Sequence, residues 1–109
     1  MSGIPQLSPA QASTLLAELG DQAVLLDVRE PWEYELAHVE GSLHIPMGEV
    51  QGKLEELNSY RTYVVMCHHG RRSQQVAVYL ASCGFQQVSN LAGGIDAWAE
   101  TLEPDLPRY

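Results

Sequence analysis

The chain has 109 residues, 45% hydrophobic and 18% charged, which suits one domain spanning residues 1–109 with a real core. Its net charge of −8 argues against nucleic acid or an anionic membrane surface as a partner. Two cysteines exclude a disulfide scaffold, and no apolar run approaches the roughly 20 residues that span a bilayer.

The start, MSGIPQLSPAQAS, lacks the basic-then-apolar order of a signal peptide. The expected setting is therefore a reducing compartment, the cytoplasm. Ser8-Pro9-Ala10-Gln11 reads as a helix start, with Ser8 as cap, Pro9 at the first helical position and Gln11 completing a capping box. Leu15, Leu16 and Leu19 give this helix an apolar face, and Gly20 ends it. Ala23 to Val28 is continuously apolar except for Asp27, the pattern of a strand covered on both faces. Pro31 to Leu36 predicts a short helix. Ser42 to Ile45 predicts a strand stopped by Pro46. Val50, Leu54 and Leu57 predict a helix over residues 50–57. Tyr63 to Met66 is a second apolar strand.

From Arg72 to Cys83, the positions Val76, Ala77, Leu80 and Cys83 recur at helical spacing, and Gly84 marks the stop. Cys83 is thereby expected on the packed side of its helix. Gln87 to Leu91 predicts a last strand, and Gly93-Gly94 opens a helix through Ile95, Ala97 and Trp98. The tail, with Pro104 and Pro107, is expected to be extended. Strand and helix alternate, which predicts an α/β domain with a mainly parallel sheet and helices on both faces.

Chemistry concentrates in Cys67-His68-His69-Gly70-Arg71-Arg72-Ser73. This stretch holds two of the six Lys and Arg and two of the four His. It joins a strand end to a helix start, the usual place for a ligand in such folds. Gly70 supplies freedom for a tight turn. The amides of His68 to Ser73 include donors that the first helical turn leaves free, and these form an anion cradle. The helix dipole and Arg71 and Arg72 add positive potential. A cysteine there has a lowered pKa and serves as a nucleophile. The bland alternative is a small buried hydrophobe, but the glycine, the cations and the strand-to-helix position together favour chemistry. A metal centre is not expected, because Cys67, His68 and His69 are adjacent and no second ligand cluster has zinc-like spacing.

Cysteine phosphatases place five residues between Cys and Arg; here four separate Cys67 from Arg72. The smaller cradle fits one sulfur atom on the cysteine better than a phosphate. Asp27-Val28-Arg29-Glu30, Trp32-Glu33-Tyr34, His38-Val39-Glu40-Gly41-Ser42 and Ile45-Pro46 form a first block. The Cys67 loop is the second. Gly84-Phe85, Val88 and Asn90 to Trp98 form the third. In this order and spacing, from about Leu7 to the end, the chain resembles the single-domain rhodanese sulfurtransferases.

That resemblance implies a three-layer α/β/α fold with a central, mainly parallel five-stranded sheet. It implies that Cys67 takes a sulfane sulfur from a small anionic donor such as thiosulfate. Cys67 then passes it, as a persulfide, to cyanide, a thiol or a protein acceptor. His68, His69, Gly70, Arg71 and Arg72 would bind the donor, with Arg72 the first choice for steering it. Asp27, Arg29 and Ser73 would order the loops. No cofactor is implied, since the sulfur rides on Cys67. Trp32, Tyr34 and Trp98 are expected to pack in the core or at the rim. Glu33-Glu35 and Glu55-Glu56 are expected on solvated helix faces. A persulfide carrier and a small cysteine phosphatase or arsenate reductase remain as alternatives.

Overall fold

The structure, a computed structural model, describes residues 3–109. Its elements follow in order as β1 (Gln6–Leu7), α1 (Pro9–Leu19), β2 (Ala23–Asp27), α2 (Pro31–Leu36), β3 (Leu43–His44), β4 (Thr62–Met66), α3 (Arg71–Ser82), β5 (Gln87–Leu91) and α4 (Gly94–Thr101). The strands form one sheet in the order β1-β5-β4-β2-β3, and every pairing is parallel. The alternation of elements dictates this, because each parallel pair needs a crossover that lands on a sheet face.

Successive residues of β4 face opposite layers. Tyr63, Val65 and Cys67 enter one cluster with Val76, Ala77 and Leu80 of α3. Val64 and Met66 enter the other with Ala12 of α1 and Ile95 and Trp98 of α4. The central strand is covered on both sides, which is why its sequence is unbroken apolar residues. The expected α/β fold with a five-stranded parallel sheet is what the chain adopts. The capping box at Ser8 and Gln11 also forms, with Ser8 Oγ accepting from the Gln11 amide at 3.2 Å and Gln11 Oε1 accepting from the Ser8 amide at 2.9 Å.

Several local expectations need correction. Residues 50–57 are not an α-helix; 3₁₀ segments run over Met47–Glu49 and Gln51–Glu56. Gly48 and Gly52 weaken an α-helix there, and the amides of Val50, Lys53 and Leu57 reach carbonyls three residues back. Cys83 is exposed rather than packed. Helix α3 ends at Ser82 with Cys83 as its cap, and Leu80 is the last residue that the helix buries. Glu33 is buried rather than solvated. Trp98 is buried in the core, and Trp32, 62% exposed, packs at the rim against Tyr109, both as expected. The tail turns over residues 104–106 and returns Tyr109 toward α2 and the Cys67 loop instead of running straight out. Strand β1 has only two residues and no pattern that marks it.

Candidate active site

The loop between β4 and α3 is Cys67 to Gly70. Gly70 has φ of 107°, a conformation that L side chains rarely adopt, and it lets the chain turn directly into α3. The loop is held from the far side by α4: the Ile95 amide donates to the Cys67 carbonyl at 2.8 Å, and the Asp96 amide to the His68 carbonyl at 3.2 Å. A side chain at Gly94 would run into those carbonyls. The Gly93-Gly94 pair therefore exists for close approach as much as for starting a helix.

Cys67 is buried at the bottom of a shallow pocket lined by Cys67, His68, His69, Arg71 and Arg72. Its Sγ accepts from the Gly70 amide at 3.1 Å and from the Ser73 hydroxyl at 3.3 Å. Burial pushes the thiol up. Hydrogen bonds from the Ser73 hydroxyl and from the amides of Ser73, Gly70 and His69 outweigh it and hold Cys67 below the ordinary thiol range. The Ser73 hydroxyl also donates to Asn90 Oδ1 at 2.5 Å. One proton cannot serve both acceptors at once, so the amides are the constant part of the cradle. Asn90 Nδ2 in turn donates to the Gly70 carbonyl at 3.1 Å, tying the turn to β5.

The two arginines differ. Arg71 is exposed, and no charged partner meets it among the described residues. Arg72 lines the pocket but makes a fork on Glu33, with Nη1–Oε1 at 2.7 Å and Nη2–Oε2 at 2.9 Å. Its pKa is raised, first by that hydrogen-bonded partner. Glu33 pays burial, yet Arg72 and the Tyr109 hydroxyl bring its pKa down to about 2. Asp27 and Arg29 form a fully buried pair, Nη2–Oδ2 at 2.7 Å, that does not line the pocket. Arg29 spends its other donors on the carbonyls of Glu33 and Ala37 and on the Tyr109 hydroxyl, which fixes the loops flanking α2.

Three residues that the sequence did not point to belong to this region: Glu33, Asn90 and Tyr109. The acidic residue within a conspicuous Trp-Glu-Tyr block was the available signal for Glu33, and the Asn90-to-Trp98 block was the signal for Asn90. Tyr109 had none.

One group of metal-type donors comes together among the described residues, His68, His69 and Asp96, all within 4.8 Å. The two imidazoles stack at 3.9 Å and 27°, which aims their lone pairs side by side rather than at one point. Asp96 Oδ1 already accepts from Arg108 Nε and Nη2, and Oδ2 faces His69 Nε2 at 3.8 Å. This geometry favours an ion-pair cluster over a metal centre.

Residues 9–101 match the model of the Rhodanese-like domain family. The chain belongs to that family. Among its relatives is the "Thiosulfate sulfurtransferase GlpE" of Pseudomonas fluorescens, 38% identical over 108 residues, with 99% of this chain and 96% of that protein covered. The "Putative sulfur carrier protein YrkF" of Bacillus subtilis is 38% identical over 102 residues, but the chain spans only 55% of its length. In structure, the rhodanese-related protein of Thermoplasma volcanium superimposes with a TM-score of 0.78 at 31% identity, covering 92% of this chain and 95% of that one. The rhodanese-like fold and the family's sulfurtransferase members thus agree with the geometry of the loop. No helix of the described residues is long and apolar enough to cross a membrane.

Proposed function

We propose that this protein is a sulfurtransferase that carries sulfane sulfur on Cys67, with residues 1–109 working as one domain. The observation that carries the reading is the cradle around Cys67 Sγ, where main-chain amides converge on a buried sulfur at a strand end. Such a cradle stabilises negative charge on the thiolate and equally on a persulfide one atom longer.

The Cys67 thiolate attacks the outer sulfur of thiosulfate. A new S–S bond forms to Cys67, the sulfur–sulfur bond of the donor breaks, and sulfite leaves with the electron pair. A thiolate or cyanide then attacks the outer sulfur of the persulfide and returns Cys67 as thiolate. The amides of His69, Gly70 and Ser73 hold the charge in both states. Arg71, exposed at the pocket, steers the donor anion. Arg72, whose charge is met by Glu33, shapes the wall. Asp27, Arg29 and Ser73 keep the surrounding loops in place. The chemistry suits a reducing, cytoplasmic setting.

A second reading, a sulfur carrier that hands its persulfide to a protein without free turnover, is favoured by the name of the Bacillus relative. Intact-protein mass after thiosulfate treatment tests the shared step. A gain of one sulfur atom that survives Cys83→Ser and disappears in Cys67→Ser is the expected result. Turnover with cyanide or a small thiol then separates enzyme from carrier. No gain in the wild type, with thiosulfate or with mercaptopyruvate, would overturn both readings.

A further inference from the structure

His68 forms one wall of the Cys67 pocket, and its ring is tied at one edge only, by a hydrogen bond to the Tyr109 main chain. Its Nε2 is buried without a hydrogen-bond partner. The faces of the imidazole are held by stacking. On one side His69 lies at 3.9 Å and 27°; on the other lies the Tyr109 ring, at 3.9 Å and 9°. His69 is exposed, so it makes a soft support. Tyr109 is the firm one. Its hydroxyl donates to Glu33 Oε2 at 2.7 Å and accepts from Arg29 Nη1 at 2.9 Å. Both of those partners are buried, and Trp32 meets the ring edge-on at 5.7 Å. A residue 42 positions after Cys67 in the chain is thus anchored at one end to a buried ion network and pressed flat against a pocket wall.

We propose that Tyr109 is a positioning residue that sets how large a sulfur donor reaches Cys67, by bracing the His68 ring as a fixed wall of the pocket. The wall favours a donor of oxyanion size, such as thiosulfate, over an organic thiosulfonate or a bulky persulfide. Removing the ring leaves His68 with an exposed neighbour on one face and space on the other, and with only the main-chain bond at its edge, so the wall loosens. Removing only the hydroxyl leaves the stack and the Trp32 contact.

The significance of this wall for donors rests on the sulfur-transfer reading, but its test does not. In a Cys83→Ser background, Cys67 is alkylated by iodoacetamide and by the bulkier N-ethylmaleimide, and both rates are read from intact mass. Both reagents are neutral and consume the same thiolate, so the ratio of rates cancels any change in the Cys67 pKa. Tyr109→Leu should raise the maleimide-to-acetamide ratio at least about threefold, while Tyr109→Phe, which loses the anchor but keeps the stack and the Trp32 contact, should fall between Leu and the parent. Persulfide formation from thiosulfate and from benzenethiosulfonate is followed in the same three proteins, and Tyr109→Leu should gain on the larger donor. An unchanged alkylation ratio in Tyr109→Leu overturns the proposal, as does a Tyr109→Phe protein that behaves like the Leu variant. If the ratio rises but the parent forms no persulfide from either donor or from mercaptopyruvate, the brace stands and the sulfur-transfer reading falls. If persulfide forms and the ratio is flat, the reverse holds.

Discussion

Arg72 grips Glu33 with two nearly parallel hydrogen bonds, 2.7 and 2.9 Å, and so fastens the first turn of α3 to α2 across 39 residues of sequence. The carboxylate is almost wholly buried, whereas the guanidinium is about one-third exposed. Glu33 therefore bears most of the desolvation, and it is held ionised by donors on several sides: Arg72, the Tyr109 hydroxyl and the Glu30 amide. One wall of the pocket beside Cys67 thus rests on this pair.

This pair sets an acid limit on stability. Glu33 has a folded-state pKa of about 2 against an ordinary 4.5. Its contribution is complete above the ordinary value and is lost as pH falls from there through the folded value. The shift corresponds to up to about 3 kcal/mol. Urea unfolding between pH 6 and pH 2, in wild type and Glu33→Gln, measures it. The wild type should lose stability steeply below roughly pH 4.5, and the variant should lack this part of the slope. Parallel curves would show that Glu33 carries no such linkage.

The two arginines should separate cleanly on mutation. Arg71→Ala removes an exposed charge with no charged partner among the described residues. It should leave the unfolding midpoint near wild type and raise the KM for thiosulfate severalfold, on the order of fivefold at low salt, with the effect shrinking as salt is added. Arg72→Ala strands a buried carboxylate and should cost about 3 kcal/mol of stability. Thermal unfolding beside steady-state kinetics reads both, and equal behaviour of the two variants would refute the division of roles.

The fold was legible in the sequence where contacts are local or periodic. Strands β2, β4 and β5, the capped start of α1 and the spacing of α3 are patterns of neighbours, and the structure reproduces them. The Cys67 loop was legible for the same reason, since its glycine, cations and nucleophile lie within seven residues. What escaped depends on the third dimension. Glu33 reads as a surface residue until Arg72 arrives from 39 residues away, and Tyr109 reaches Glu33 across 76. Strand β1 gains its identity only from pairing with β5. Cys83 was misplaced because helical spacing was carried past Leu80, the last residue that α3 buries.

Gly94 should tolerate no side chain. It has φ of 61°, and an added Cβ meets the carbonyl oxygens of Cys67 and His68, which the neighbouring α4 amides must reach. Gly94→Ala is expected to destabilise by about 2 kcal/mol or more. It should also slow persulfide formation, because the loop has to shift to make room. Gly84 has φ of 98° but open space around it, so Gly84→Ala should carry backbone strain without a change in activity. Denaturant unfolding and single-turnover sulfur loading compare the two. A Gly94→Ala protein that loads sulfur like wild type would remove the close approach as a determinant of the site.

The cradle makes a direct statement about pH. Cys67 is held below the ordinary thiol range, so its thiolate persists to lower pH than that of a free cysteine near 8.5. The rate of Cys67 alkylation by iodoacetamide should rise with pH and level off above a midpoint lying below that value. Lowering the pKa favours the thiolate, so the curve shifts toward acid. Ser73→Ala removes the side-chain donor to the sulfur and should move the midpoint back toward alkaline pH. The return should be partial, because the Gly70, His69 and Ser73 amides stay, and because the Ser73 proton is shared with Asn90 in the parent. A parent midpoint at or above about 8.5 would mean that burial prevails over the amides, and Cys67 would then lack the thiolate that sulfur transfer requires.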